Sequence, residues 1–430
     1  MSNLPDRTKD QAIRSEAPIR IGLLTGGSDR PYVFGLTKSL TSRNATLDLI
    51  GSDELDEPKF RDGLGVNFLN LRGSQRPDVR FVSKISRIVV YYARLIGYAA
   101  TAEPRIFHIL WNNKFEFFDR TLLMLYYRLL GKKIVLTAHN VNAARRDSKD
   151  THLNRLTLRI QYRLAHHIFV HTEKMKQELS DEFGVPCARI TVIPFGINNA
   201  VPNTDLTPSK AQQRLGIREG EATILFFGRI TPYKGLEYLI EAFRQIQSRR
   251  QNYRLIIAGR PDNCETYWAG LQEVIRELNQ NGRILLKPHF IPDDETEIYF
   301  KAADVLVLPY RDIYQSGVLF LAHSFGLPVI AADVGSLKDE IVEGKTGFVF
   351  SPENQTELAK AIERYFASDL HTHLNSRRSE IRDYATERHS WDVVGQTTMS
   401  VYASLLDIPA TRQASNREAS SISFDMKAPS

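Results

Sequence analysis

Short apolar runs alternate with amphipathic stretches along most of this chain, and the alternation stops once and begins again. In the first series "IRIGLLTGG" (Ile19–Gly27), "TLDLIGS", "RIFHILW" (Arg105–Trp111), "KKIVLTAHN" (Lys132–Asn140), "HHIFVHT" (His166–Thr172) and "ITVIPFG" (Ile190–Gly196) read as buried strands. Helical patterns such as "RTLLMLYYRLLG" and "TEKMKQELSDEFG" separate several of them. Strands kept apart by helices predict a parallel sheet with helices covering it. After a polar link around "NNAVPNTDLTPSKAQQ" the pattern resumes with "ATILFFGR", "YRLIIAGR", "RILLKPHF", "DVLVLPY", "PVIAAD" and "GFVF". The expected fold class is α/β, with two doubly wound, Rossmann-like domains facing each other across a cleft. Residues 19–203 are the expected first domain, 204–390 the second, 391–407 a helix packing back on the first, and the polar, Ser-rich 408–430 a disordered tail.

A chain of 430 residues, 42% hydrophobic, has apolar side chains enough for two cores of ordinary size. Its two cysteines, Cys187 and Cys264, lie far apart, which argues against a disulfide framework and a structural zinc site. The opening "MSNLPDRTKDQAIRSEAP" lacks the apolar core of a signal peptide, and no later run approaches the roughly 20 apolar residues of a spanning helix. The expectation is a cytoplasmic protein, soluble or peripheral at the inner face of the membrane.

Open parallel sheets bind ligands beyond the carboxyl ends of their strands. In "ILFFGRITPYKGLEYLIEAF" a strand ends at Gly228, Arg229 and Lys234 follow, and Gly235 opens a helix with Leu236, Leu239, Ile240 and Phe243 facing inward. Two cations beside a helix start suit a pyrophosphate; spacing alone leaves open that both are solvated loop charges. Further on, "YRDIYQSGVLFLAHSFGLPVIAADVGSLKDEI" has the form of a nucleotide-binding half-domain, yet its ligand-facing turn and helix carry almost no acid.

The ordered series "ITVIPFGIN", "GRITPYKGLEYLIEAF", "LIIAGR", "ADVLVLPY" and "FGLPVIAADVGSLKDEIVEGKTGFVF" resembles the GT-B retaining glycosyltransferases of family 4, which use nucleotide-sugar donors. The resemblance runs from about residue 19 to residue 405 and is denser in the second half. It implies a GT-B fold and a metal-independent hexosyltransferase. The implied reaction moves a sugar from a nucleotide diphosphate sugar to a hydroxyl of a saccharide or lipid-linked glycan, with retention, as in polysaccharide biosynthesis. No cofactor and no metal are implied, and no Asp-x-Asp motif occurs. A non-catalytic GT-B protein that binds nucleotide sugar or supports a partner transferase is the competing class.

Carried over residue by residue, the resemblance makes Arg229 and Lys234 the clamp on the departing diphosphate and the turn Ser316, Gly317, Val318 a donor of N–H groups to it. It places Phe290 and Ile291 beside the nucleobase through their backbone and makes Glu340 a donor contact. In the first domain it gives Gly26 and Gly27 a place near the donor phosphate, and His139 a place against the transferred sugar. Asn142, Arg145, Arg146 and Asp147 either bind the acceptor or form a charged loop. The two glutamates the family carries eight positions apart are replaced here by Ile313 and Leu321, with Asp312 next door as the one nearby acid. His166, His167 and His171 read as strand residues, not metal ligands. Asp293, Asp294, Glu295 and Glu297 read as acids at a helix start.

The first half also carries apolar helices edged with cations, "SKISRIVVYYARLIGY" and "RTLLMLYYRLLGKK", and "NRLTLRIQYR" sets Arg155, Arg159 and Arg163 four apart. These are either core helices with solvated basic edges or a face resting on an anionic membrane surface. No nucleic-acid module accompanies the charge, so nucleic acid is not an expected partner.

Overall fold

The computed structural model describes residues 18–408 except 27–28, 59–64, 76–80, 114, 147–148, 198–200 and 250–251, and omits the side chains of 81–84. Gly27, Asp147 and the expected tail after residue 408 therefore lie outside the described residues. Seven strands, β1 (Ile19–Leu24), β2 (Ala45–Gly51), β3 (Val66–Asn70), β4 (Ile106–Ile109), β5 (Lys133–Thr137), β6 (His167–Val170) and β7 (Ile190–Val192), form the first sheet in the order β3-β2-β1-β4-β5-β6-β7. Six more, β8 (Ala222–Phe227), β9 (Tyr253–Ala258), β10 (Ile284–Lys287), β11 (Val305–Leu308), β12 (Val329–Ala332) and β13 (Gly347–Phe350), form the second in the order β10-β9-β8-β11-β12-β13. Every pairing is parallel. Each order reverses once, between β1 and β4 and between β8 and β11, and such reversals open a crevice at the strands' carboxyl ends.

The inner strands are apolar along their length because helices cover both their faces: all four residues of β4, β6, β11 and β12 are buried. The sequence reading omits β3. This edge strand, "VNFLN", is half-exposed throughout, so it lacks the uninterrupted apolar run that marks its neighbours.

The first sheet is sandwiched between two cores. On one side Tyr91, Leu95, Met124, Tyr127, Leu158 and Tyr162, from three helices, pack on Leu24, Ile109 and Leu136. On the other, Tyr32, Leu36 and Leu40 of the helix Arg30–Thr41 pack with Val394 and Tyr402 of the helix Trp391–Leu405 on Ile21, Leu47 and Val135. The chain thus passes from the first sheet to the second and returns. The outgoing and returning passes are joined: His389 Nδ1 donates to the Phe195 carbonyl (3.1 Å), Ile197 N–H to the His389 carbonyl (3.0 Å), and Trp391 Nε1 to the Ile197 carbonyl (2.9 Å). Trp391 fits only because its neighbours lack side chains: a Cβ added at Gly35 or Gly196 would lie 2.0 or 2.3 Å from its ring.

Candidate functional site

After β8 the chain must turn under the carboxyl ends of the second sheet before its next helix, Leu236–Gln247, can begin. Gly235 makes this possible, with φ 63° and a backbone so close to the Pro309 carbonyl that a Cβ would sit 2.1 Å from its oxygen. The short turn Pro232–Lys234 then drives the Lys234 side chain inward, where it is 6% exposed. Its Nζ lies 5.4 Å from the Tyr310 ring centroid. A Cβ added at Gly228 would be 3.0 Å from Lys234 Nζ and 3.4 Å from a Val318 methyl. The end of β8, the lysine and the turn before the helix Gly317–Ser324 therefore converge on one point. Burial, followed by the positive charges of Arg229 and Arg146, lowers Lys234 from 10.5 to about 7. An anion placed here would restore the charge and receive it at short range.

Arg229 stands at the mouth of the same turn, 66% exposed, with Nη1 3.1 Å from Asp262 Oδ2. An exposed pair of this kind is worth under about 1 kcal/mol, so it holds the guanidinium only loosely. Ser316 precedes the first helical turn in extended backbone and its side chain makes no capping hydrogen bond. Ile313 and Leu321 belong to the apolar core beneath this helix. Asp312 is exposed, and between it and Ser316 stands Gln315, whose amide oxygen and nitrogen are both buried without a hydrogen-bond partner among the described residues. A polar residue in a ligand-facing turn was the available signal for Gln315, and the sequence reading passed over it.

The first domain answers with an aromatic cage. Gly26, at φ 58°, sits where a Cβ would be 2.0 Å from the Trp111 carbonyl oxygen. The Trp111 ring stacks on His139, with centroids 4.2 Å apart and planes at 4°, and Tyr32 meets the imidazole edge-on at 4.7 Å. His139 Nδ1 is 3.0 Å from His171 Nε2, and His171 Nδ1 is 3.2 Å from the Ile193 carbonyl oxygen. Burial, with the neighbouring His171 and His108 adding to it, holds His139 well below its ordinary value; burial lowers His171 to about 4, opposed by its bond to Ile193. Both rings are neutral at pH 7, so the hydrogen bonds assign the tautomers. A carbonyl only accepts, so His171 carries its proton on Nδ1. Its Nε2 then accepts from His139 Nδ1–H. His139 Nε2 is left as a bare acceptor, buried and without a partner among the described residues, suited to a hydroxyl donor.

The two halves meet through side chains. Phe195 stacks on Phe320 at 5.3 Å and also contacts Tyr32 and His171. The Tyr314 hydroxyl donates to Glu178 (2.9 Å) and accepts the Asn142 backbone N–H (3.3 Å). The Arg146 guanidinium lies 4.4 Å over the Tyr233 ring, next to Lys234. Arg145 binds Glu182, with Glu178 3.4 Å away. A cleft of 140 Å³ is lined by Arg145, Arg146, Lys174, Asp312, Ile313 and Tyr314, among others.

The remaining expected positions have their own surroundings. The Asn142 amide oxygen accepts from Asn154 (3.0 Å), while its amide nitrogen is buried without a hydrogen-bond partner among the described residues. Glu340 is buried with its carboxylate 2.9 Å from His389 Nε2 and 3.5 Å from Arg388, against the returning pass of the chain. Phe290 is exposed after β10, whereas Ile291 is packed in the core and offers backbone alone. Asp293, Asp294 and Glu295 occupy the first turn of the helix Asp293–Ala302, but Glu297 lies beyond that turn and binds both the backbone N–H (2.7 Å) and the hydroxyl of Thr204 in the interdomain link.

Residues 209–388 match the family model described as glycosyl transferases group 1, and residues 30–201 match glycosyltransferase family 4. An uncharacterised glycosyltransferase of Methanocaldococcus jannaschii is 28% identical over 54% of this chain and 58% of its own length. A D-inositol 3-phosphate glycosyltransferase of Corynebacterium urealyticum is 26% identical over 59% of this chain and 60% of its own. The chain thus spans about three-fifths of the length of these relatives. Among solved structures, sucrose-phosphate synthase from Thermosynechococcus elongatus superposes with a TM-score of 0.71 at 18% identity, covering 91% of this chain and all of that one. The Anabaena protein HepE in complex with UDP-glucose gives 0.69 at 17% identity, covering 90% of this chain and 99% of that one.

Proposed function

Because this chain belongs to the family 4 type of GT-B glycosyltransferases, we propose that it moves a sugar from a nucleotide diphosphate sugar to a hydroxyl acceptor, a saccharide or lipid-linked glycan, with retention. The observation that carries this reading is the convergence of Gly228, Lys234 and Val318 on one point, with an ammonium held near 7 and an exposed guanidinium beside it. As the glycosidic bond of the donor breaks, negative charge grows on the leaving diphosphate. Lys234 and Arg229 meet that charge, together with the N–H groups that follow Ser316, so the reading needs no divalent metal. Stabilisation of this sort counts most where water is scarce, and Lys234 is buried.

His139 serves the other end of the bond. Its bare Nε2 accepts a hydrogen bond from a hydroxyl of the transferred sugar, and its neutral state keeps a positive charge away from the electron-poor anomeric carbon. Arg145 and Arg146, on the first-domain side of the cleft, are the proposed neighbours of the acceptor. Apolar Ile313 and Leu321 leave the ribose without the usual carboxylate, which places recognition on the diphosphate and the base.

A donor panel tests the reading. The purified protein is titrated with nucleotide diphosphate sugars, and release of nucleotide diphosphate is followed with and without saccharide acceptors. Turnover of at least one donor that falls about 10²–10³-fold in Arg229→Ala is the expected result. Tight binding of a donor that is never turned over would move the protein to the non-catalytic class, a reading favoured by the apolar residues at 313 and 321.

A further inference from the structure

We infer that the outer face of the first domain is a docking surface for an anionic lipid bilayer. Of the fifteen large hydrophobic side chains exposed among the described residues, twelve lie between Ile85 and Leu156. They are carried by three neighbouring helical segments on one side of the first sheet. The helix Phe81–Thr101 lies beside Met124–Leu129 and the turn before it, with the Tyr126 hydroxyl donating to the Ile96 carbonyl at 3.1 Å. That segment lies beside His152–Leu164, with Arg120 bound to Asn154 at 2.9 Å. Their inner residues, among them Leu95, Tyr127 and Tyr162, fill the core against the sheet. Their outer residues therefore point the same way, to solvent.

An ordinary surface helix is polar on its outer face. Here Ile85, Val89 and Ile96 run along the outside of the first helix, Val89 being 61% exposed, and Leu125 and Leu129 along the second, Leu129 being 78% exposed. A monomer seldom leaves so many apolar side chains together in water. The charges around them are of one sign: the helices Phe81–Thr101 and His152–Leu164 contain no Asp or Glu, and Arg94, Arg159 and Arg163 are exposed. On the middle segment Asp119 is buried and Glu116 is paired with Arg120. No helix among the described residues is long and apolar enough to cross a membrane, so the apolar side chains would lie in the interface and the arginines among the headgroups. Two copies of the chain meeting through this face would set like charges together, whereas an anionic surface complements them.

The face also reaches the site. Phe115 and Phe117, both exposed, follow β4, which pairs with β5, the strand that delivers His139 at the same sheet edge. A lipid-linked acceptor would then meet the cleft without leaving the bilayer, a corollary that rests on the transferase reading; the docking itself does not.

The test is co-sedimentation of the full chain with vesicles of phosphatidylcholine alone or mixed with phosphatidylglycerol, without donor or acceptor, so that its outcome is independent of transfer. The wild type should pellet with the mixed vesicles and be released by salt. Leu125→Glu with Leu129→Glu, at exposed helical positions, should lower partitioning about tenfold or more at an unchanged unfolding midpoint. Arg159→Glu with Arg163→Glu should abolish the preference for phosphatidylglycerol. Failure of the wild type to pellet would overturn the inference, as would undiminished binding of the leucine variant. So would a concentration-dependent dimer that the same leucine substitutions dissolve, which would make the face a contact between copies.

Discussion

Replacing Lys234 with methionine removes an ammonium that the fold holds in an unfavourable place while keeping most of its packed stem. The drop from 10.5 to about 7 corresponds to about 5 kcal/mol between charged and neutral forms. Because the folded value is the lower one, the unfolded chain holds more protons than the folded chain between pH 7 and 10.5. Wild-type stability therefore rises with pH across that window, and below about 7 the whole cost is present. Replacing even a paired buried charge and its partner with apolar groups often returns up to about 1–4 kcal/mol, and that range sets the scale for this ammonium. Lys234→Met should therefore unfold at higher urea than the wild type at pH 6, with a difference of that size that shrinks to under about 1 kcal/mol by pH 10. Over the same pH range, binding of a nucleoside diphosphate to the wild type should weaken as pH rises above 7, since the anion draws a proton onto the amine; in the variant it should be flat. Turnover should fall about 10²–10³-fold. A variant less stable than wild type at pH 6, or a stability difference that does not change between pH 6 and pH 10, would refute the reasoning.

His171→Phe removes the acceptor that fixes the His139 tautomer, so kcat should fall about 10–100-fold while nucleotide affinity by calorimetry stays within about twofold. Gly235→Ala forces a Cβ against the Pro309 carbonyl at positive φ and should cost about 2–4 kcal/mol in chemical denaturation; Gly131→Ala, at φ 73° with nothing within 4 Å, should cost about 1 kcal/mol or less. Leu321→Glu places a carboxylate in the apolar core and should lower stability by about 3 kcal/mol or more without raising nucleotide affinity. Wild-type affinities for a ribonucleoside diphosphate and its 2′-deoxy analogue, measured by calorimetry, should differ by less than about tenfold; a larger preference would point to Gln315 or Asp312 at the ribose.

What could be read along the chain was what is local. Strands buried on both faces announce themselves as apolar runs, and the clamp is legible because Gly228, Arg229, Lys234 and Gly235 fall within eight residues around one turn. The edge strand β3, half in water, gave no such run. Contacts made across the cleft were invisible for a different reason: Asn142 and Tyr314 are 172 positions apart, and nothing in either residue type announces the other. His171 was read as a strand histidine, which it nearly is; its influence on His139 depends on the Ile193 carbonyl, a backbone group no sequence pattern displays. Glu340 is expected at the donor because it follows the last motif; no sequence pattern displays the return of the chain that sets His389 Nε2 2.9 Å from its carboxylate.

The joined passes at Phe195–Ile197 and His389–Trp391 have a mechanical consequence. The second domain is an insertion in the first, reached by two chain segments that are hydrogen-bonded to each other. A single tether would leave the inserted domain free to swivel; two fastened side by side restrain that freedom. It follows that the domains are not interchangeable as fragments. A cut after residue 203 strips the first domain of Val394 and Tyr402, which complete its core, and strips the second of Val201, which belongs to its own.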